Sequence, residues 1–510
     1  MAILEEALQV NGDTARKARG LPEVSGETHA AMPGYGVRLS RVGDPKTIGS
    51  YLSRTPDTDQ PTIAELEANV PVEIEADRSV DPGRAHLTIT IIGAGIAGLV
   101  CALALRKDGH RVTLLEKSSF SKHKETGAAT SVGPNASGLL LRLGFNFEAA
   151  GANVCEGFLS MNGVTGEIKN KQNLEWAKEA YKRESVPGNV RPWALCHRVD
   201  LHNELKRLVF DPRGSGPVPE MHLGATVEHV DTETAEVKLA DGRVFAADSV
   251  IGADGNNSFT RYFVEPDAKL KPWGKSCYRW LVPRASLLFD HDTKQFVQET
   301  GYFADVAGPD RKLIMYPCRK NTMVNFAAIV PDDEMETAGG EDWEHKGRKE
   351  GLMKSFENFC PETRKLLHSA GDDLRVWQLM HITSLNTFVK GRVALIGDAA
   401  HPFLPFLGQG AAQAMEDAVC IANIFQESTL VTSGADSVPE LLKLYDSIRR
   451  ERANWIAAQT ERNGLQEGEG GPPPSFVLEM LDNCFKHDEW DNTNEKLADW
   501  HARKSDQKDA

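Results

Sequence analysis

A chain of 510 residues exceeds what one hydrophobic core normally supports, so two packed domains, or one elaborated domain with appendages, are expected, with room to bury a large cofactor. With 41% apolar and 26% charged residues, the composition excludes global disorder and repeat or collagen-like architectures. A net charge of -15 and the lack of a Lys/Arg-rich run make a phosphate backbone repulsive on average, so nucleic acid is not an expected partner. The eight cysteines are scattered and form no CxxC pair, which argues against zinc-ribbon and thioredoxin-like chemistry and suits a reducing compartment. The opening MAILEEALQVNGD is too polar for a signal or transit peptide, and no apolar run reaches membrane-spanning length, so a cytoplasmic protein without a membrane span is expected.

In chain order, residues 1–85 carry Pro, Gly, Thr and Asp without sustained periodicity and read as a low-order extension, with one helix expected near Thr62 to Asn69. Composition changes abruptly at His86, where LTITIIGAGIAGLVCALALRKDGHRVTLLEK gives a β-branched strand, a glycine turn, an amphipathic helix and a second strand: a βαβ unit. Residues 247–261 read as a short strand entering a tight Asp254-Gly255 turn. From about 270 to 330, apolar and polar residues alternate between turn breaks, which predicts an antiparallel sheet forming a substrate layer. Val393 to Ile396 is a second short buried strand, followed by a glycine-interrupted loop and a helix from about Gly410. The tail holds GEGGPPPS, one amphipathic helix over Phe476 to Phe485 and a polar end, and reads as peripheral. The fold class expected is α/β: a discontinuous Rossmann-type dinucleotide domain (86–268 and 375–465) with an inserted antiparallel-sheet domain (269–374) and a helical tail over 466–510.

The chemistry starts at Gly93-x-Gly95-x-x-Gly98, between strand Thr88 to Ile92 and helix Leu99 to Lys107. Gly93 permits the turn, Gly95 lets backbone approach a pyrophosphate, and Gly98 lets helix pack on strand. Glu116 ends the next strand 18 residues after Gly98, placed for a ribose hydroxyl, with Lys117 beside it. The glycine pattern alone is an ordinary turn in any α/β domain; the strand, helix, strand and acid around it point to dinucleotide binding without saying which dinucleotide. Two further strand ends deliver carboxylates: Asp254, and Asp398 within GRVALIGDAAHP, followed by Gly408-Gln409-Gly410-Ala411.

Together these three segments resemble the signature set of the group A FAD-dependent aromatic monooxygenases, in the salicylate-hydroxylase-like branch that includes many fungal secondary-metabolite hydroxylases; the resemblance covers roughly residues 86–465. It implies FAD as cofactor, with Glu116 at the adenosine ribose, Asp398 at the ribityl side, and the Asp254-Gly255 turn serving both FAD and NAD(P)H. His197-Arg198-Val199-Asp200-Leu201 is similar to the family's arginine-containing segment, placing Arg198 beside FAD, although an ordinary helix start reads the same way. Where relatives carry Gly-Ala-Gly-Ile, this chain has Gly127-Ala128-Ala129-Thr130, so the flavin-facing surface implied at Gly127 and Ala129 is bulkier and more polar. The helix from Gly410 and Ala411 would offer its positive end to reduced flavin. Tyr278 and Arg279 match the place of a flavin-facing Tyr-Arg pair, with Arg279 stabilising an oxyanion or orienting peroxide; a surface ion pair and a half-buried sheet tyrosine are the bland readings. Tyr316-Pro317 is equally open, Phe403 and Phe406 line a pocket or merely fill it, and His401 reads as structural or flavin-contacting before general base.

The resemblance implies the family's cycle: NAD(P)H reduces FAD, O2 adds to form a C4a-hydroperoxide, and one oxygen passes to a small aromatic or polyketide-like substrate in a pocket that excludes water. No second GxGxxG unit is present, so NAD(P)H is expected as a transient visitor. Epoxidation and oxidation of an indole or other N-heterocycle remain open within that chemistry. A flavin halogenase is disfavoured because no Trp-x-Trp pair occurs. From other classes, an NAD-linked dehydrogenase or a non-catalytic dinucleotide-binding protein stay as alternatives.

Overall fold

A computed structural model describes residues 86–119, 128–334, 347–371, 373–382, 384–465, 472 and 475–508. The β-branched run Thr88–Ile92 (β1) is buried along nearly its whole length, as the middle of a parallel sheet requires. Helix Ile96–Lys107 (α1) returns the chain to Arg111–Glu116 (β2), which pairs with β1 in parallel. On the other side of β1 lies Ser249–Gly252 (β3), also parallel, and beyond it Val393–Leu395 (β4). The complete order is Val389–Lys390, β4, β3, β1, β2, Glu220–Leu223, with only the first strand antiparallel. Strands remote in sequence therefore end side by side at one edge, where open α/β sheets place their ligands.

Helix α1 is buried along most of its length, and its last-turn Arg106 turns inward: its guanidinium donates to the carbonyls of Val209 (2.5 Å), Gly216 (3.0 Å) and Asp211 (3.1 Å). Those bonds fasten the end of helix Arg198–Phe210 and its following loop onto α1. The apolar helix Gly410–Ile424 (α2) packs beside α1 in the same core. The predicted helix start at Leu99 lies one turn inside the observed one, because glycine-flanked Ile96 and Ala97 already carry helical backbone.

The second sheet has seven strands, in the order Arg375–Ile382, Leu270–Pro283, Met323–Pro331, Lys312–Cys318, Tyr302–Ala307, Gly157–Asn162, Ile168–Asn173. All neighbours are antiparallel except Tyr302–Ala307 with Gly157–Asn162. The expected partition of the chain is therefore corrected in two places. Two strands come from within 86–268 and one from within 375–465, since a sheet extends by edge pairing without regard to sequence distance. The far face of this sheet packs on short helices between residues 284 and 370.

The C-terminal expectation also changes. Val438–Gly464 (α3) is followed by Ser475–Lys486 (α4) and by a second helix, Glu489–Lys508 (α5), where a polar end was expected. Helix α5 is anchored, with Leu497 buried and Trp490 and Trp500 packed on the main core. Fully buried Arg449 on α3 joins Glu416 (2.7 Å) and Asp417 (2.9 Å) on α2 to Glu489 (2.6 Å) on α5. The helix expected near Thr62 to Asn69, and the rest of 1–85, lie outside the described residues. All eight cysteines are buried and unpaired, and among the described residues no helix is long and apolar enough to cross a membrane.

Candidate active site

The glycine turn after β1 is built by close contact. Gly93 has φ +104°, and its N–H donates to Leu115 O at 2.8 Å; a Cβ there would meet Ala253 O at 2.4 Å. At Gly98 a Cβ would meet Gly93 O at 2.0 Å, whereas at Gly95 it would meet nothing within 4 Å. Gly93 and Gly98 thus hold strand ends and helix together, and Gly95 faces the groove. Helix α1 opens without a side-chain cap, leaving its N-terminal end available to an anion. Glu116 bridges this turn, accepting from Ala94 N–H (2.8 Å) and Ser118 N–H (2.7 Å).

Asp254 spends its carboxylate on its own turn, accepting from Ser258 Oγ (2.5 Å) and from the N–H groups of Phe259 and Thr260 (2.9 Å each), while Gly255 and Asn256 line the groove. Arg261, at the end of this segment, is buried and acts as a staple. Its Nε donates to Ala399 O (2.7 Å) and its Nη2 to Asp398 O (2.6 Å), tying the second motif to the third. Asp398 lines the groove; burial pushes its carboxyl up from the usual range, against the pull of His401, Arg198 and Arg261. Gly397 (φ +59°) lets this loop pass between Ala97 and Ala414, either of which a Cβ would crowd at 3.1 Å.

Gly95, Ala129, Arg198, Asp398, Gly410 and Ala411 line one continuous groove, and the Glu116 and Asp254 carboxylates accept hydrogen bonds from the backbone of its turns. Lys117 is exposed and does not line it. Gly127 lies outside the described residues. The space, open to solvent, measures about 2020 Å³, and it runs from the glycine turn to the face of the seven-stranded sheet.

On that face the two-residue period of a strand sorts side chains. Arg279 pairs with Ala327, Ala327 with Ile314, and Ile314 with Asp305, so one row of four residues crosses four strands and all of them line the cavity. The flanking rows add Cys277, Ile329 and Lys312 on one side and Tyr316 on the other. Phe303 stacks on Tyr316 at 5.2 Å, and Phe158, Trp193, Trp377 and Phe406 complete an aromatic wall. The Arg279 guanidinium sits 5.3 Å from the Trp377 ring centroid, and its Nε has no protein acceptor. Tyr278, one residue away, necessarily points to the opposite face, where it is 4% exposed in the core against Leu374 and Gly347. The expected Tyr278–Arg279 pair is corrected: adjacent strand residues do not share a face, and only Arg279 reaches the cavity.

His401 is buried between Phe388 and Phe403 and holds Asp417 through Nε2 at 2.6 Å. Asp417 also accepts from Gly397 N–H at 2.9 Å; despite burial, His401 and Arg449 hold its carboxyl below the usual range. This makes His401 a support of the Asp398 loop. Leu481 of α4 lines the cavity, and Phe485 packs on Trp193 at 5.2 Å. The amphipathic pattern over Phe476 to Phe485 signalled that helix, but no sequence pattern said what it covers.

A family model described as FAD binding domain matches residues 86–460. The chain is 35% identical over 389 residues to hispidin-3-hydroxylase of Neonothopanus nambi, covering 73% of this chain and 87% of that protein. The chain belongs to the FAD-dependent monooxygenases. A second similar protein, the FAD-dependent monooxygenase cfoG of Aspergillus candidus, is 33% identical over 380 residues, covering 72% of this chain and 83% of cfoG. Among solved structures, a salicylate hydroxylase substrate complex superposes with TM-score 0.64 at 25% identity, covering 81% of this chain and 98% of the other. This monooxygenase uses FAD, with NAD(P)H as the reductant of its class. Its groove fits the cofactor: Gly95 leaves open space where a side chain would intrude, and α1 and α2 both start there without side-chain caps.

Proposed function

We propose that this monooxygenase hydroxylates a small, electron-rich aromatic or polyketide-derived molecule held on the sheet face beside Arg279, consuming NAD(P)H and O2. The observation that carries this reading is the continuity of the nucleotide groove with an aromatic chamber into which Arg279 reaches with an unpartnered Nε. That two similar proteins are named hydroxylases supports the same reading. Bound FAD supplies the redox chemistry, accepting reducing equivalents from NAD(P)H and delivering one atom of O2.

The protein's own residues bind and orient. The open N-terminus of α1 at Gly95 receives the pyrophosphate, with Gly93 and Gly98 fixing the turn and Glu116 offering a carboxylate to the ribose. Arg198, Ala129 and Asp398 would hold the flavin half, and the N-terminal end of α2 at Gly410 and Ala411 would favour negative charge placed there. Asp254 serves by shaping its turn, and Arg261 by clamping that turn to the Asp398 loop. Arg279 stabilises negative charge developing on the substrate oxygen, beside the aromatic wall of the chamber.

The test is NAD(P)H oxidation and O2 uptake by the yellow purified protein against phenols, benzoates, indoles and polyketide aromatics, with H2O2 assayed in parallel. We expect at least one aromatic class to stimulate both and to appear as hydroxylated product. Stimulation by none of them, or stimulation with all oxygen recovered as H2O2, would overturn the reading.

A further inference from the structure

The row that begins at Arg279 ends, three strands away, at a second charged group that the proposed chemistry does not use. Asp305 and Lys312 sit on neighbouring strands, with Lys312 Nζ 3.8 Å from Asp305 Oδ2. Their side chains are 16% and 9% exposed, and both line the cavity. Asp305 Oδ1 is buried with no protein donor. Lys312 lies 5.7 Å from the Phe406 ring, another cavity wall. A buried ion pair costs desolvation that its mutual attraction repays poorly unless the remaining lone pairs and protons are satisfied. At 3.8 Å this pair is longer than a hydrogen bond, so each partner keeps bonding capacity for something in the cavity.

Resting on the hydroxylase reading above, we propose that Asp305 and Lys312 form a recognition site for a second oxygen of the substrate, a phenolic or enolic hydroxyl. A hydroxyl both donates and accepts. It can donate to the unpartnered Asp305 Oδ1 while accepting from the Lys312 ammonium. A carboxylate would gain Lys312 but face Asp305, and an ether would leave the Asp305 oxygen without a donor. Between this pair and Arg279 lies an apolar floor of Ala327 and Ile314. Three strand spacings of ~4.8 Å separate the Arg279 and Asp305 backbones by roughly 14 Å, and the side chains reach inward from both ends. The site therefore selects a flat molecule oxygenated at two separated positions.

The test uses FAD-loaded protein and a matched set of polyhydroxylated stilbenes in which one terminal oxygen is hydroxyl, methoxy or replaced by hydrogen. Binding is read without turnover, by quenching of the cavity tryptophans Trp193 and Trp377 and by perturbation of the flavin spectrum. We expect the wild type to bind the hydroxyl member about 10- to 100-fold more tightly than the methoxy member, the range of a charge-assisted hydrogen bond. Asp305→Asn and Lys312→Met should each reduce that ratio below about threefold, with flavin content and affinity for the methoxy member unchanged. If both variants keep the wild-type ratio, or if the wild type does not distinguish the members, the recognition site is refuted. Should the ratio collapse as expected while no member is hydroxylated, the recognition site stands and the hydroxylase assignment fails.

Discussion

A methyl group at Gly98 would meet the Gly93 carbonyl oxygen at 2.0 Å, whereas at Gly95 it would meet nothing within 4 Å. Two glycines of one motif therefore fail differently when replaced. Gly98→Ala forces α1 off β1, and we expect about 2–4 kcal/mol of lost stability, read by denaturant unfolding of the FAD-free protein. Gly95→Ala should leave that unfolding curve in place and weaken FAD binding, measured by flavin retention on gel filtration. A Gly95 variant that unfolds like the Gly98 variant would contradict the division of labour. Asp398→Ala should release FAD, since the carboxylate lines the groove and its loop is held by Arg261 from behind. Arg279→Ala should retain FAD and lower coupled product formation by about 100-fold, the scale of losing one oxyanion donor; normal hydroxylation by that variant would remove Arg279 from the reaction. The turn-building roles of Gly93 and Gly98 were legible because only glycine fits a backbone that approaches another backbone so closely. Tyr278 was misplaced for the converse reason: two neighbouring letters give no face until the strand and its register are known.

Three helices remote in sequence, α2, α3 and α5, meet at one guanidinium. Arg449 is fully buried and contacts Glu416, Asp417 and Glu489, while Arg452 adds a second bond to Glu416 at 2.7 Å. Removing one member of such a network leaves the others charged and unpaired, so Arg449→Ala should cost about 3–5 kcal/mol. Thermal unfolding checks this, and Glu489→Gln should cost less because Arg449 keeps two carboxylates. Glu416 and Asp417 are both held below their usual range, the arginines and His401 outweighing burial. The network is therefore fully stabilising above the unfolded carboxylate pKa and weakens as pH falls through the folded values. Helix α5 was unpredicted because its anchors are a buried salt bridge and scattered tryptophans, neither of which leaves a sustained apolar stripe.

Across the whole molecule, the start of the first strand is tied to the end of α2 by His110, whose Nδ1 accepts from Leu87 N–H (3.0 Å) while Nε2 contacts Phe425 O (2.9 Å). That pattern requires the neutral ring with its proton on Nε2. Burial, with a smaller push from His86 and a partial offset from Phe425, lowers its pKa to about 4. An unfolded histidine titrates near 6.5, so the folded protein holds the full contribution above that pH and loses it progressively toward pH 4, about 3 kcal/mol in all. The melting temperature should fall between pH 7 and 4.5, and His110→Gln, which can still accept and donate, should flatten that fall; an equal slope in both proteins would count against it. By itself the sequence determined the βαβ unit and the three glycine-hinged strand ends, because backbone collisions and strand periodicity are local and leave their mark in neighbouring residues; the flavin was implied only by the family resemblance that those segments carry. Only the tertiary structure decided which side chains look into the cavity: that Arg279 faces it and Tyr278 does not, that residues 157–173 extend the substrate sheet, and that Asp305, Lys312 and Leu481 meet there. Those outcomes depend on register and on pairing between distant segments, and such contacts exist only once the chain has closed on itself.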